Sequence, residues 1–349
     1  MLATIIYGER DIRVEERPRP TIIEPTDAVV RVVAACVCGS DLWPYRGVRT
    51  LTQPRAIGHE FVGIVESVGD AVARVAPGDF VIAPFSISDN TCATCRNGIQ
   101  SSCEHGSAWG GPDDHGHETD GAQGEVVRVP LADGTLVAVP GPIDDAIVPG
   151  LLTLSDVMST GHHAALSAGV GPGTSVVIVG DGAVGLCAVI AAKRLGATRI
   201  IAMSRHSDRQ ELALAFGATE IVAERGASAG EKIRELLGGV LADSVIEAVG
   251  TKESMEQALA SVRPGGRVGY VGVPAGGSEF PIQQLFSNNI TVSGGVAPAR
   301  AYIEELLPDV LSGAIQPGRV FELELPLSEA AEAYAAMDER RAIKVLLRP

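Results

Sequence analysis

Two rhythms of apolar positions divide the chain. In the first third, short apolar runs such as AVVRVVAACVCG (28–39), EFVGIVESVG (60–69) and GDFVIAPF (78–85) are bounded by Gly, Pro or Asp. Runs of this length predict short strands separated by turns, arranged as an irregular β-barrel. Between 84 and 125 the rhythm fails and Gly, Asp, His and Cys accumulate, which predicts a long functional or clamped loop. Near residue 150 the grammar changes. SVVIVG (175–180) reads as a buried strand, followed by AVGLCAVIAAKRLGA (helix), RIIAMS (strand), SDRQELALAFGA (helix) and EIVAE (strand). A helix over 229–238, the strand DSVIEAVG, the helix SMEQALASVRPG and the strand GRVGYVGV continue the series. Strands alternating with helices predict a doubly wound parallel sheet. The chain closes with a helix, SEAAEAYAAMDE, and a strand, AIKVLLRP. The predicted class is α/β, with a β-rich domain over 1–154 and 297–349 and a parallel-sheet domain over 155–296.

The first strand of the second pattern runs into Gly180-Asp-Gly182-Ala183-Val184-Gly185, which opens a helix. A GxGxxG between a strand and a helix is the dinucleotide-binding fingerprint of a Rossmann domain. Its glycines permit a tight turn and close backbone approach, and the helix N-terminus offers amides to a pyrophosphate. An NAD enzyme places Asp or Glu at the end of the second strand, on the ribose 2′-hydroxyl. Here that strand ends at Ser204, followed by Arg205, His206 and, further on, Arg209. The next acid, Asp208, sits in Ser207-Asp-Arg-Gln210, which reads as a helix capping box. Ser204, Arg205 and Arg209 therefore predict a site for a 2′-phosphate and a preference for NADP(H). The alternative is a solvated surface turn.

Cys38-Gly-Ser40-Asp41 and Gly58-His59-Glu60 supply thiolate and imidazole, the donors zinc prefers. Taken with a cysteine-rich loop, the GxGxxG and a VGVP strand end at 271–274, they make the chain resemble the zinc-dependent medium-chain alcohol dehydrogenases along almost its whole length. The resemblance implies a GroES-like catalytic domain around the Rossmann domain, with the active site in the cleft between them. It implies that Cys38 and His59 bind a catalytic zinc. The third ligand precedes a Thr-Gly turn in the family, and Asp156 stands there, before Thr160-Gly161. This matches the NADP-dependent secondary-alcohol branch, whose members carry Asp at that place. A thiolate, a neutral imidazole and a carboxylate balance Zn²⁺ and leave a fourth position open, as catalytic sites require. For Asp156 alone, a helix cap is the competing reading.

The same resemblance assigns Glu60 as a carboxylate beside the metal that can approach it when ligands exchange, Asp41 as the residue orienting His59, and Ser40 as the acceptor of the substrate proton. It places Thr160 beside the nicotinamide and Val271 on the cofactor. The family relay continues to a histidine five residues after the cysteine, where this chain has Trp43. A tryptophan cannot pass a proton, so the path beyond Ser40 runs through cofactor ribose or water, or is shortened. A second, structural zinc is implied by Asp89-x2-Cys92-x2-Cys95-x7-Cys103, the family's four-cysteine spacing with Asp89 in first place. The charge sum is unchanged, and aspartate can ligate zinc. The competing reading is a vestigial lobe with unligated thiols.

Composition narrows the partners. The net charge of −15 argues against a polyanionic partner such as nucleic acid or an anionic membrane. No apolar run is long enough to span a membrane, and MLATIIYGERDIRVEE lacks the pattern of a signal peptide, so the expected compartment is the cytoplasm. His115 and His117 read as solvated loop residues, Trp43 and Trp109 as core or pocket wall, and Cys36 and Cys187 as core. The resemblance implies hydride transfer between NADP(H) and a small-molecule alcohol, aldehyde or ketone, by a homodimer or homotetramer. A zinc-free quinone or enoyl reductase and a non-enzymatic zinc- or NADPH-binding protein are the rival readings. The ligand set and Ser40 count against both.

Overall fold

In the computed structural model, which describes residues 1–274 and 281–349, the chain forms two units. One comprises Met1–Asp156 with Pro298–Pro349, the other Val157–Ala297. The first begins with β1 (Leu2–Gly8), β2 (Asp11–Glu16), β3 (Ala28–Cys36), β4 (Arg55–Ala56), β5 (Phe61–Val68) and β6 (Phe80–Ala83). The short β7 (Ser86–Ile87), β8 (Ser107–Ala108), β9 (Val126–Val129) and β10 (Val137–Ala138) follow. The second unit holds β11 (Ser175–Val179), β12 (Arg199–Met203), β13 (Glu220–Val222), β14 (Ala242–Glu247), β15 (Val262–Tyr270) and β16 (Thr291–Gly294). The chain then returns to the first unit with β17 (Phe321–Pro326) and β18 (Lys344–Arg348).

Strands of the first unit order as β10-β6-β5-β3-β18-β17, with β9 also on β3, beside a three-stranded β2-β1-β4 sheet and the β7-β8 pair. Among the described strands no pairing joins β10 to β17, so this unit is built from open sheets rather than a closed barrel. Alternation on β3 and β5 buries Val30, Val32, Phe61 and Val65 in one apolar cluster. A second cluster gathers Ile6, Val37, Leu42, Ile57, Tyr334, Val345 and Leu347. Cys38 and His59 each follow a member of this second cluster by one or two residues, so packing fixes the backbone from which both project. Trp109 is core: its ring meets Phe61 edge-on with centroids 5.1 Å apart, and its indole N–H donates to the Pro84 carbonyl at 3.0 Å. Cys36 and Cys187 are buried as expected.

The long 84–125 segment carries only short elements and is clamped from β9. Arg128, on that strand, is 2% exposed in its side chain. Its guanidinium bonds Asp27 Oδ2 at 3.0 Å, Asp113 Oδ2 at 2.9 Å and the Glu118 carbonyl at 3.2 Å. One cation thereby fixes both the approach to β3 and the loop.

The second unit has the parallel order β13-β12-β11-β14-β15-β16. Register is regular across its middle, Val177 pairing with Ile201 on one side and Val245 on the other. This is the doubly wound 3-2-1-4-5-6 arrangement, which reverses direction at β11. No described helix is long and apolar enough to cross a membrane.

Removing the clamp leaves two buried carboxylates without a cation. Arg128→Met should therefore destabilise the protein by about 3–5 kcal/mol, as breaking a buried ion pair does. The denaturation midpoint in urea measures it, and an unchanged midpoint would refute the clamp.

Candidate functional site

Two residues after β3, the chain turns through the 3₁₀ segment Gly39–Asp41. Asp41 accepts the Cys38 N–H at 3.0 Å, which holds the turn. His59 lies between β4 and β5. Gly58 before it has φ +94°, and a Cβ there would meet the Gln123 backbone nitrogen at 2.9 Å, so only glycine fits. Asp156 follows the helix Val148–Thr153. The carbonyl of its neighbour Ser155 accepts the Phe85 N–H at 3.0 Å.

These separated segments meet. Cys38 Sγ lies 3.4 Å from Asp156 Oδ2, and His59 Nε2 lies 3.5 Å from the same oxygen. With a carboxylate oxygen of Glu60, the four donor atoms all lie within 4.8 Å of one another. Donors at zinc's usual bond lengths, tetrahedrally arranged, stand roughly 3.3–3.8 Å apart. The observed spacing therefore fits that ion. Asp41 Oδ1 sits 3.3 Å from His59 Nδ1 and orients the ring, leaving Nε2 for a metal. Ser40 Oγ donates to Cys38 Sγ at 3.3 Å. Trp43 occupies the short helix Leu42–Tyr45.

The cluster is short of positive charge. Burial, and then Asp156, pushes the Cys38 thiol up. Burial also pushes the Glu60 carboxyl up. Burial works against the His59 imidazolium, yet the Asp41 and Cys38 charges outweigh it and hold that pKa well above the usual value. Buried donors that resist ionisation together are the ones a divalent cation would stabilise, because its charge compensates them.

Around this group lie three residues that carried no sequence signal. The Gln123 amide donates to the Cys36 carbonyl at 3.0 Å and approaches Asp41 Oδ2 at 3.5 Å, while Tyr334 donates to its oxygen at 3.1 Å. Lys344 is fully buried against Glu60. Each comes from a remote part of the chain, so no local spacing announces it.

The second cluster gathers Asp89, Cys92, Cys95 and Cys103, again within 4.8 Å. Cys92 and Cys103 sulfurs are 3.9 Å apart, too far for a disulfide and suited to a shared metal. Burial opposes it, but the Thr91 and Cys92 backbone N–H groups hold the Asp89 carboxyl well below the usual range. Burial pushes Cys95 and Cys103 up. His115 and His117 join neither cluster; His117 Nε2 lies 3.3 Å from Glu24.

In the second unit, β11 is followed directly by Gly180, whose φ is +125°. Gly182 caps the helix Ala183–Arg194, so Ala183, Val184 and Gly185 form its first turn. A Cβ on Gly185 would lie 1.9 Å from the Gly180 carbonyl oxygen. The third glycine is therefore required by the turn itself. Thr160 is buried in the helix Val157–Ser167. Val271, just past β15, donates its N–H to the Glu247 carbonyl at 2.9 Å.

The end of β12 differs from the simplest expectation. Ser204 is buried and its hydroxyl donates to Asp181 Oδ2 at 2.6 Å. Arg209 also bonds Asp181, at 3.3 Å. Gln210 does not complete a capping box, because its amide reaches back to the Ser204 carbonyl at 2.8 Å and the helix Ser207–Phe216 is capped by His206. Arg205 is exposed. Arg225, which sequence reasoning missed, lies past β13 and donates to the Met203 carbonyl at 3.4 Å and the Glu224 carbonyl at 2.8 Å. The pairing of Met203 with Val222 brings these two strand ends together.

Residues 24–141 match the alcohol dehydrogenase GroES-like domain, and residues 183–312 match the zinc-binding dehydrogenase family. Zinc-type alcohol dehydrogenase B of Aspergillus flavus is 32% identical over 355 residues, spanning 100% of this chain and 81% of that protein. The chain belongs to the zinc-dependent medium-chain alcohol dehydrogenases. Among solved members, alcohol dehydrogenase TADH from Thermus sp. ATN1 superposes with a TM-score of 0.91 at 36% identity, over 100% of this chain and 99% of that one. A Sinorhizobium meliloti 1021 structure bound to NADP gives a TM-score of 0.83 at 28% identity, over 100% and 99%. This dehydrogenase is accordingly an alcohol-oxidising enzyme of the zinc type that uses a nicotinamide cofactor.

Gly185→Ala tests the cofactor loop. Overpacking a tight site costs about 1–3 kcal/mol, so nicotinamide-cofactor affinity should fall about tenfold or more. Quenching of NADPH or NADH fluorescence reads it. Wild-type affinity for both would show that the turn relaxes without consequence.

Proposed function

We propose that this dehydrogenase transfers hydride between NADP(H) and a small alcohol or the corresponding aldehyde or ketone, at a catalytic zinc held by Cys38, His59 and Asp156. The observation that supports it is the convergence of these donors, with His59 already oriented by Asp41. A zinc ion there supplies Lewis acidity that lowers the pKa of the alcohol or polarises the carbonyl. Asp41 keeps His59 in the tautomer whose Nε2 is a donor atom. Ser40, on the sulfur of Cys38, is placed to take the hydroxyl proton of the substrate. Trp43 cannot carry it onward, so the path beyond Ser40 would use cofactor ribose or water, or be shortened. Thr160 would flank the nicotinamide of a bound cofactor. The Asp89, Cys92, Cys95 and Cys103 lobe holds a second, structural zinc, for a total of two per chain. A homodimer or homotetramer is the expected assembly.

The cofactor reading rests on charge at the end of β12. Asp181 is a carboxylate near the strand end, but its oxygens are engaged by Ser204 and Arg209. It is therefore not free to receive a ribose 2′-hydroxyl as an NAD enzyme's carboxylate does. Arg205, exposed, and Arg225, whose guanidinium donates to backbone carbonyls, are the cations suited to a dianionic 2′-phosphate.

Asp156→Asn keeps the shape of the third donor and removes its charge. Zinc content should fall from two per chain to one, with turnover down about 10²-fold, at the upper end of effects seen around metal sites. Elemental analysis and steady-state rates measure both, and near-normal values would place the third donor elsewhere. For the cofactor, Arg205→Ala and Arg225→Ala should each lower the NADPH-to-NADH ratio of kcat/KM about tenfold. A charge-assisted bond contributes roughly 1.5–3 kcal/mol, less in an exposed site, and 1.4 kcal/mol is about tenfold. Wild-type preference for NADH, or unchanged ratios in both variants, would overturn the NADP assignment.

A further inference from the structure

In the first unit, the segment after β2, the segment leading into β4 and the chain around the Pro112–Glu118 bridge enclose a groove of about 860 Å³. That is the volume of a small-molecule site. Glycines bring its walls together. Gly110 has φ +73°, and a Cβ there would meet the Ala56 carbonyl oxygen at 2.3 Å. A Cβ on Gly121 would meet the Ile57 carbonyl oxygen at 2.3 Å. The 110–121 segment can therefore lie directly on the chain that runs from β4 to His59. Pro18, Pro20, Pro54 and Pro112 stiffen the edges. Thr119 is buried and its hydroxyl donates to the Gly111 carbonyl at 2.8 Å, while Asp120 Oδ2 accepts the Arg128 backbone N–H at 3.0 Å. These contacts set the walls before any ligand arrives.

The lining is cationic in an anionic protein. The chain carries 43 Asp and Glu against 28 Lys and Arg. The groove nevertheless holds Arg17, Arg19, Arg49, Arg55 and Arg128 against Glu118 and Asp120. Two of these cations are engaged elsewhere, Arg19 by Glu66 and Arg128 by Asp27 and Asp113. Arg17, Arg49 and Arg55 make no ion pair and no side-chain hydrogen bond among the described residues. Like charges lining a concave surface focus their field on an anion, and guanidinium forks match carboxylate and phosphate oxygens. Ile23 and Leu51, also in the lining, give a carbon frame an apolar surface to lie on. We propose that this groove binds a small organic dianion, a molecule bearing two carboxylate or phosphate charges, through Arg17, Arg49 and Arg55. None of the metal donors lines it, so the site stands independently of the zinc reading. Ala56 nevertheless precedes His59 by three residues, and Gly121 precedes Gln123 by two. Two sources carry the required chemistry: an acidic group on the alcohol substrate itself, and a separate effector.

The test uses the full-length enzyme with its metal, saturated with nicotinamide cofactor so that added anions do not occupy the glycine-rich turn. Calorimetric titration compares succinate and inorganic phosphate with acetate at constant ionic strength. Both dianions should bind at least about tenfold more tightly than acetate. Arg49→Ala and Arg55→Ala should each weaken succinate binding about two- to fivefold, as exposed charges do. Arg17→Ala, Arg49→Ala and Arg55→Ala combined should weaken it at least about tenfold, whereas a carboxylate bound at the metal would be unaffected. The three side chains are exposed, so the triple variant should keep the wild-type circular dichroism spectrum. Succinate that raises KM for the alcohol in the wild type but not in the triple variant would assign the groove to an acidic group of the substrate. Succinate that binds without changing that KM would assign it to a separate effector. Equal affinity for succinate and acetate, or unchanged succinate binding in the triple variant, would overturn the site.

Discussion

A thiol, an imidazole and two carboxylates buried within 4.8 Å of one another form an arrangement that only a cation makes comfortable, and much of the first unit is organised to hold it. Each donor alone would be costly to ionise away from water. Burial raises the Cys38 and Glu60 pKa values, while His59 is drawn toward protonation by Asp41 and Cys38. Burial dominates the first two shifts, and neighbouring negative charge dominates the third against burial. A protein that keeps such a cluster folded does so by tying down the backbone around it.

That restraint is visible in the surrounding contacts. Gln123 bridges the Cys36 carbonyl and the Asp41 side, and Tyr334 holds Gln123 in turn. Gly58 permits Gln123 to come close enough. Lys344 ties Glu60 to the Val37 carbonyl. The outer residues come from the loop before β9, from the C-terminal helix Ala330–Asp338 and from β18. The chain therefore has to return from the second unit before the metal cluster can be completed. Such outer contacts commonly matter to a metal site nearly as much as the donors themselves.

The nucleotide-binding unit shows a related economy of charge. Asp181 lies inside the glycine-rich turn, where a free carboxylate would repel phosphate. Ser204 and Arg209 engage it instead, at 2.6 and 3.3 Å. The positive charge near the strand end is then carried by Arg205 and Arg225, brought together because β13 pairs alongside β12.

Much of this protein was determined locally and is legible in the sequence. Strand and helix periodicity specified the parallel sheet, since a buried strand and an amphipathic helix differ in period wherever they occur. The GxGxxG turn is likewise local, as the Gly185–Gly180 approach demonstrates. That Cys38, His59 and Asp156 gather, and that Asp89, Cys92, Cys95 and Cys103 do, was legible because their side-chain types and spacing match the family's donor pattern. Tertiary structure decided the rest. Gln123, Tyr334, Lys344 and Arg225 are ordinary residues until folding sets them against a particular atom. The hydrogen bonds of Ser204 and Arg209 meet on a single neighbour, Asp181, whose side-chain direction no periodicity encodes. The openness of the first unit's sheets likewise depended on which distant edges pair. Hydrogen bonds and ion pairs act over a few ångströms of space, whereas sequence separation records only distance along the chain.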